Sequence, residues 1–214
     1  MTDALAATTR RQEATRQKLL DAAAQVFAEV GLDAASVEAI CERAGFTRGA
    51  FYSNFETKDE LFLELSGNVA RERVEAVRSR VLELEEAGAL GDIPEDALAI
   101  VQKVLDVSAD DRLGVLLMSE IRIHALRNPQ VAAAYLAQEA EMRQSVTQII
   151  EDIGRAKSLH YRLPADEAAR LMLTVWEGAA VRSVMAGHSY EEMCRQTNAE
   201  LARVAQLVID VPRR

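Results

Sequence analysis

Residues 36–58 read SVEAICERAGFTRGAFYSNFETK, and this stretch decides the fold of the N-terminal part of the chain. Its pattern predicts two short helices joined by a tight turn. Ser36 is a candidate N-cap of the first helix, because its hydroxyl can accept a hydrogen bond from an unpaired N–H of the first turn. Gly45 is expected to end that helix with a positive φ. Thr47 is the candidate N-cap of the second helix.

The second helix is predicted to be short, from about Thr47 to Ser53, and to have two different faces. Phe51 and Phe55 lie four residues apart and should anchor it to the core. The outward face then carries Arg48, Gly49, Tyr52 and Ser53. Such a face suits the major groove of DNA, because arginine can form two hydrogen bonds with guanine O6 and N7. An ordinary helical hairpin inside an all-α core is the alternative that these residues leave open.

The residues after this stretch predict a longer helix. Thr57 to Glu60 fit a capping box, in which a hydroxyl and a carboxylate side chain satisfy backbone N–H groups reciprocally. The N-terminus of this helix and the ammonium of Lys58 can together hold a phosphate. No strand pattern is evident anywhere in the chain. Apolar periodicity and stop signals such as Gly31 predict the remaining helices at about 9–30, 58–87, 94–108, 110–128, 129–153, 164–187 and 190–208.

The run from Arg16 to Leu61 resembles the DNA-binding domain of the tetracycline-repressor (TetR) family. The matching segments are LLDAAAQVFAEVG (19–31), SVEAICERAG (36–45) and TRGAFYSNFETKDEL (47–61). Two positions depart from the usual pattern: Cys41 stands where alanine is common, and Asn54 stands where an aromatic residue or histidine is frequent. The resemblance implies an all-α fold of about nine helices.

The resemblance also implies two domains and a function. Residues 12–57 would form a three-helix helix-turn-helix domain, and residues 58–214 a helical ligand-binding and dimerisation domain. The protein would be a homodimeric regulator, a repressor that binds a palindromic operator on double-stranded DNA and is released by a small hydrophobic effector. Arg48 is the expected base-reading residue. The other candidate DNA contacts are Ser36, Thr47, Gly49, Tyr52, Ser53, Asn54 and Lys58. The alternative is a helical small-molecule-binding dimer without sequence-specific DNA binding.

The formal net charge of −9 is unusual for a DNA-binding protein. Residues 1–60 contain seven Lys and Arg and ten Asp and Glu, a net charge of −3. Phosphate affinity depends on local charges, so the placement of these residues matters more than their sum. The bases Arg10, Arg11, Arg16, Lys18, Arg48 and Lys58 are expected on the DNA side. The acids Asp21, Glu29 and Glu38 are expected to face away.

Polar residues interrupt the apolar side of the helix predicted at 110–128. Glu120 and His124 share a helical stripe with Leu117. A buried carboxylate must be paired or hydrogen-bonded, so these residues either form a structural ion pair or line a ligand cavity. One His and one Glu make an incomplete metal site, and no metal is expected. Large apolar and adaptable Met residues complete the candidate effector-binding set, which is Leu117, Met118, Glu120, His124, Tyr135, Met142, Met172 and Trp176. Ordinary core packing is the alternative.

The last two predicted helices are expected to form the homodimer. The first of them, at 164–187, is apolar on more than one face, which requires packing partners on two sides. Resemblance to the family implies that both helices build a four-helix interface with a second copy. A monomeric bundle core is the alternative.

Composition and motifs exclude several classes of protein. No Ser-His-Asp, Cys-His or phosphate-loop pattern is present, so no enzyme and no cofactor are expected. The sequence has no apolar run long enough to span a membrane and no secretory signal. Cys41 and Cys194 lie far apart, and no disulfide is expected. These features predict a cytoplasmic protein without a membrane partner.

Overall fold

The computed structural model describes residues 2–88, 112–157 and 159–210. Within them lie eight helices and two very short strands. The helices are α1 (Thr2–Ala34), α2 (Val37–Ala44), α3 (Arg48–Tyr52), α4 (Lys58–Glu86), α5 (Arg112–Arg127), α6 (Pro129–Lys157), α7 (Ala165–Met185) and α8 (Tyr190–Val208). The all-α fold class is confirmed. The helix predicted at 94–108 lies outside the described residues.

The described residues divide into two compact units. The first comprises residues 2–69 and 116–136, and the second comprises 70–88, 112–115, 137–157 and 159–210. The first unit therefore contains α1 to α3, the starts of α4 and α6, and most of α5. Its contacts group most of α5 with the helix-turn-helix, while the domain boundaries expected from the sequence, 12–57 and 58–214, stay a prediction. Such grouping depends on contacts between residues far apart in the chain, which local patterns do not encode.

Aromatic and aliphatic side chains from six helices, α1 to α6, form the core of the first unit. The rings of Phe27 and Phe62 stack with their centroids 3.6 Å apart. Phe51 and Phe55 are 0% and 1% exposed, as their spacing predicted. Ile121 of α5 is also 0% exposed in the same cluster. Each such side chain stabilises the fold by about 1.5–3 kcal/mol.

Gly31 interrupts α1, which is where the sequence predicted that the first helix would stop. Its φ of 78° and ψ of 171° are not helical, and residues 32–34 form a further turn beyond it. A positive φ is accessible to glycine without steric cost. The break turns the chain toward α2, whose first residue is Val37.

In the second unit, α7 and α8 pack through small residues. Ala168, Ala169, Ala179 and Ala180 of α7 are buried, which allows the two helices to approach closely. A capping box starts α8: the Ser189 hydroxyl accepts from the Glu192 N–H, and the Glu192 carboxylate accepts from the Ser189 N–H. These bonds to Ser189 lower the pKa of Glu192, because they favour its charged form.

Two very short strands are present, although the sequence shows no strand pattern. His160–Tyr161 (β1) pairs antiparallel with Ile209–Asp210 (β2), and the Arg162 N–H extends the pairing to the Val208 carbonyl at 2.7 Å. Strands of two residues are too short to show alternation of apolar and polar side chains. Their partners are also distant in sequence, so no local pattern predicts them.

Substituting Gly154 of α6 with alanine is expected to destabilise the protein by about 1 kcal/mol. A Cβ at this position would lie 2.7 Å from Cε2 of the Tyr161 ring. The ring is held there, because its hydroxyl donates to the Ile150 carbonyl at 2.9 Å. Burial also raises the pKa of Tyr161 to about 12, so this donor stays protonated at neutral pH. Urea unfolding would measure the loss.

The matched control is the same substitution in a Tyr161→Ala background. With the ring absent, alanine should stabilise α6 by up to ~1 kcal/mol relative to glycine, because it restricts the unfolded chain and favours the helix. Equal losses in both backgrounds would show that the Tyr161 contact is not the cause.

Candidate nucleic-acid interface

Local capping interactions define both ends of α2. The Ser36 hydroxyl accepts from the Ala39 N–H at 3.1 Å, as predicted for an N-cap. Gly45 follows the helix with φ 72°, and the Phe46 N–H donates to the Cys41 carbonyl at 2.9 Å. Cys41 is 4% exposed, and burial raises the pKa of its thiol. The helix is thereby held in one orientation by residues that the sequence identified.

Helix α3 is only five residues long, and it projects from the surface of the first unit. The Thr47 hydroxyl accepts from the Ala50 N–H at 3.3 Å and caps its start. Phe51 is buried beneath it. The exposed side carries the four residues predicted to face outward, which are Arg48, Gly49, Tyr52 and Ser53. The Ser53 hydroxyl donates to the Ala50 carbonyl at 2.9 Å and accepts from Asn54 Nδ2 at 3.4 Å.

Arg48 is a largely exposed cation next to α2. Its guanidinium lies 2.6 Å from a carboxylate oxygen of Glu38, with the two side chains 60% and 58% exposed. The ring centroid of Tyr52 lies 5.9 Å from Arg48 Cζ. Glu38 was expected to face away from the DNA side, on which Arg48 was placed, and this contact contradicts that separation. The two residues lie on different helices, and only the packing of α2 against α3 brings them together.

Asn54 turns toward the end of its own helix. Its amide nitrogen Nδ2 donates to the Ala50 carbonyl at 2.7 Å. Its Oδ1 is buried and has no partner among the described residues. The side chain of this candidate DNA contact is thus partly committed to terminating α3.

Lys58 is engaged by the backbone of the first unit. Its ammonium donates to the carbonyls of Leu32 and Ala35, at 3.0 and 2.8 Å. These carbonyls lie after the break in α1, where backbone acceptors lack helical partners. The structure therefore gives this candidate phosphate contact a role in holding α1 to α4.

The predicted capping box at α4 is only half formed. The Thr57 hydroxyl accepts from the Glu60 N–H at 3.0 Å, as expected. The Glu60 carboxylate accepts from the Glu56 N–H at 2.6 Å instead of from Thr57. Both side chains therefore still accept hydrogen bonds from backbone N–H groups at the start of α4.

The candidate effector-binding residues are divided between the two units. Leu117 and Tyr135 are buried in the core of the first unit, and Met118 packs against that core. The Tyr135 hydroxyl accepts from Arg122 at 3.2 Å. Met142, Met172 and Trp176 are partly buried in the second unit.

Glu120 and His124 contact other residues of the first unit. The Glu120 carboxylate accepts from the Leu32 N–H at 3.3 Å, beside Gly31. His124 Nε2 lies 3.0 Å from a carboxylate oxygen of Asp59 on α4. Among the described residues, their partners are thus a backbone N–H and an aspartate, and not each other or an arginine, which were the partners expected for a structural ion pair. These contacts connect α5 to both ends of the helix-turn-helix region.

Within residues 2–88, 112–157 and 159–210, none of the helices combines the length and the apolar character that a membrane span requires. Nor does any group of three or more His, Cys, Asp or Glu side chains in these ranges form a cluster that could hold a metal ion.

The sequence matches profiles of two known protein families. Residues 19–65 match the family described as "Bacterial regulatory proteins, tetR family". Residues 94–206, more than half of the chain, match "BetI-type transcriptional repressor, C-terminal".

The chain belongs to the TetR family of transcriptional regulators.

Individual relatives share much of the length of this TetR-family regulator. The HTH-type nicotine-responsive transcriptional repressor HdnoR of Paenarthrobacter nicotinovorans is 26% identical over 171 residues, covering 78% of this chain and 82% of HdnoR. A solved TetR-family structure from Mesorhizobium loti has a TM-score of 0.72 and 20% identity, covering 92% and 98% of the two chains. FadR from Bacillus subtilis, solved in complex with stearoyl-CoA, has a TM-score of 0.67 and 19% identity, covering 89% and 98%. The solved structures establish similarity of fold.

Sequence reasoning missed two contacts in this TetR-family helix-turn-helix. One is the pairing of Glu38 with Arg48 described above. The other involves Arg16, which was expected on the DNA side. Its guanidinium instead forms hydrogen bonds with the Glu64 carboxylate and with the Asn54 carbonyl, and lies 4.1 Å from the centroid of the Phe55 ring. Nothing in the local sequence signals either contact, because both join residues of different helices.

Proposed function

We propose that the protein is a homodimeric repressor that binds a palindromic operator through α2 and α3 and is released by a small hydrophobic effector. The observation that carries the proposal is the exposed face of α3, where Arg48, Gly49 and Tyr52 project from a helix anchored by buried Phe51. A short, firmly anchored helix with an exposed arginine fits the major groove.

Arg48 is proposed to read a guanine in each half-site. Gly49 allows close approach of the α3 backbone, and Tyr52 offers its ring to a thymine methyl and its hydroxyl to a phosphate. Ser36, Thr47, Ser53 and Asn54 position the helix or contact the DNA backbone. Lys58 is proposed to support phosphate binding by holding the N-terminus of α4 in place, because its ammonium donates to the carbonyls of Leu32 and Ala35 at the end of α1.

A dimer through α7 and α8 is supported by apolar side chains that a single copy leaves uncovered. Leu171 and Met185 of α7 are 38% and 81% exposed, and Tyr190 and Leu207 of α8 are 55% and 71% exposed. Contiguous exposed apolar patches mark interaction surfaces, and a second copy is proposed to cover these side chains. A two-fold dimer would place two copies of α3 on two successive half-sites, which explains why a palindrome is the proposed target.

Met142, Met172 and Trp176 are the residues that are proposed to bind the effector. The other candidates, Leu117, Met118, Glu120, His124 and Tyr135, lie in the first unit, where most contribute to its core or to its polar contacts. The complex of FadR with stearoyl-CoA supports the idea that this fold accommodates an apolar ligand. Because binding free energies are reciprocal, an effector that weakens DNA binding must bind less tightly to the DNA complex.

DNA binding is tested with duplexes that carry inverted repeats from the DNA beside the gene. Fluorescence anisotropy should show saturable binding with two chains per duplex, and weaker binding to scrambled duplexes of the same composition. A protein that binds small molecules as a dimer but treats all duplexes alike would instead support the alternative function.

Effector binding is tested through the single tryptophan, Trp176. A panel of apolar compounds is titrated while tryptophan emission is recorded, with Trp176→Phe as the background control. An effector should shift the emission saturably and raise the Kd for the inverted-repeat duplex over the same concentration range. If every compound that shifts the emission leaves the Kd for DNA unchanged, release by the effector is refuted.

A further inference from the structure

Glu38 and Arg48 form an ion pair on the exposed surface that carries α3. Glu38 Oε1 lies 2.6 Å from Arg48 Nη1. Glu38 stands in the first turn of α2, where the positive end of the helix dipole favours a carboxylate. Ile40 and Cys41 are buried and anchor α2 to the core. The carboxylate is therefore presented to Arg48 by a helix whose position is set by packing.

We propose that Glu38 is a positioning residue that sets the DNA specificity of Arg48, an inference that rests on the proposed function. A guanidinium carries five N–H donors in a rigid planar fork. The ion pair with Glu38 is made at Nη1, so the donors on the other edge of the fork are proposed to meet guanine O6 and N7. Tyr52 borders the guanidinium, with its ring centroid 5.9 Å from Cζ. Glu38 thus presents Arg48 to the groove in one orientation.

The same carboxylate disfavours DNA of the wrong sequence. At a site without the guanine, Arg48 can gain a charge contact only by turning toward a phosphate. That movement breaks the pair and leaves the Glu38 carboxylate unpaired close to the DNA backbone, where like charges repel. At the correct site the pair and the guanine contact coexist. Glu38 therefore raises the ratio of specific to nonspecific affinity, although it lowers the affinity for DNA in general.

The inference is tested with the full-length protein and a randomised duplex library. Selection by the wild-type protein yields a preferred duplex, and Kd values are measured for it and for a scrambled duplex at several salt concentrations. Glu38→Ala is expected to bind the scrambled duplex more tightly. Its ratio of the two Kd values should fall by roughly five- to tenfold, because part of the discrimination of a bidentate arginine–guanine contact is lost.

Glu29→Ala is the matched control. Glu29 pairs with Arg43 at 2.7 Å, and the two side chains are 56% and 37% exposed. This substitution removes the same charge and a similar surface ion pair, but it does not involve α3. It should therefore change the Kd values for both duplexes by one common factor and leave their ratio intact. Thermal unfolding of both variants verifies that they fold.

The double variant Glu38→Ala/Arg48→Ala separates positioning from direct contact. If Glu38 acts through Arg48, its removal changes the ratio of Kd values no further once Arg48 is absent. The inference is overturned if Glu38→Ala changes the ratio of Kd values as much in the Arg48→Ala background as in the wild-type protein. It is also overturned if Glu38→Ala leaves that ratio as unchanged as Glu29→Ala does. Both outcomes leave the proposed function standing. If the wild-type protein selects no sequence at all, both the inference and the proposed function fail.

Discussion

Replacing Arg48 with alanine is expected to lower the preference for the operator over scrambled DNA by about 1–3 kcal/mol per half-site, the discrimination typical of one bidentate arginine–guanine contact. Arg48 is 60% exposed, and its ion pair with Glu38 lies on the surface. Such pairs contribute little to stability, so the fold should survive the substitution. Anisotropy titrations of both duplexes at a single salt concentration measure the preference, since nonspecific affinity varies steeply with salt.

Lys58→Ala provides the comparison for the loss of Arg48. In the wild-type protein the Lys58 ammonium donates to the carbonyls of Leu32 and Ala35, and Lys58 is not part of the exposed face of α3. We expect this variant to bind both duplexes more weakly by a similar factor, with the preference unchanged. If Arg48→Ala kept the wild-type preference, base reading by Arg48 would be excluded and the exposed face of α3 would need another role.

Arg16→Ala is expected to cause the largest loss of stability, about 2–3 kcal/mol. Arg16 joins three elements, through the Glu64 carboxylate of α4, the Asn54 carbonyl after α3 and the Phe55 ring. Its side chain is 25% exposed and that of Glu64 is 26% exposed, so water replaces these contacts poorly. Hydrogen bonds to charged groups contribute about 1.5–3 kcal/mol, and a cation–π contact about 0.5–2 kcal/mol.

Urea unfolding followed by circular dichroism measures this loss, with Arg43→Ala as the control. Arg43 also forms two hydrogen bonds with a carboxylate, that of Glu29, at 2.8 and 2.7 Å, but both side chains are more than one third exposed. We therefore expect a loss below about 1 kcal/mol for Arg43→Ala. Equal losses of stability for the two variants would indicate that the partial burial of Arg16 and Glu64 adds nothing to the stability of the fold. DNA affinity should fall with Arg16→Ala only to the extent that the folded fraction falls.

The elements of the helix-turn-helix were predictable because their signals are local. The hydroxyls of Ser36, Thr47 and Thr57 cap the starts of α2, α3 and α4, as their positions in the sequence predicted. Gly45 ends α2 with φ 72°. Phe51 and Phe55 are buried at the spacing that one helical face requires. Each of these features involves residues within a few positions of one another, so the order of residues is sufficient to identify them.

The partners of charged residues were not predictable in the same way. Glu38 was expected to face away and instead pairs with Arg48. Arg16 and Lys58 were expected on the DNA side. The structure shows Arg16 bonded to Glu64, and Lys58 bonded to the carbonyls of Leu32 and Ala35. A long charged side chain reaches several neighbours with similar energy, so the packing of helices selects among them.

By itself, the sequence determined the all-α class, the family, the helix boundaries of residues 36–58 and the exposed face of α3. Capping and helical periodicity involve residues within one or two helical turns of each other, so both can be predicted without a structure. Only the tertiary structure decided that α5 belongs with the helix-turn-helix, that β1 pairs with β2, and that Arg16 meets Glu64 from 48 residues away. These contacts form when distant segments are brought together, and the free energy that selects them comes from burying their shared surfaces.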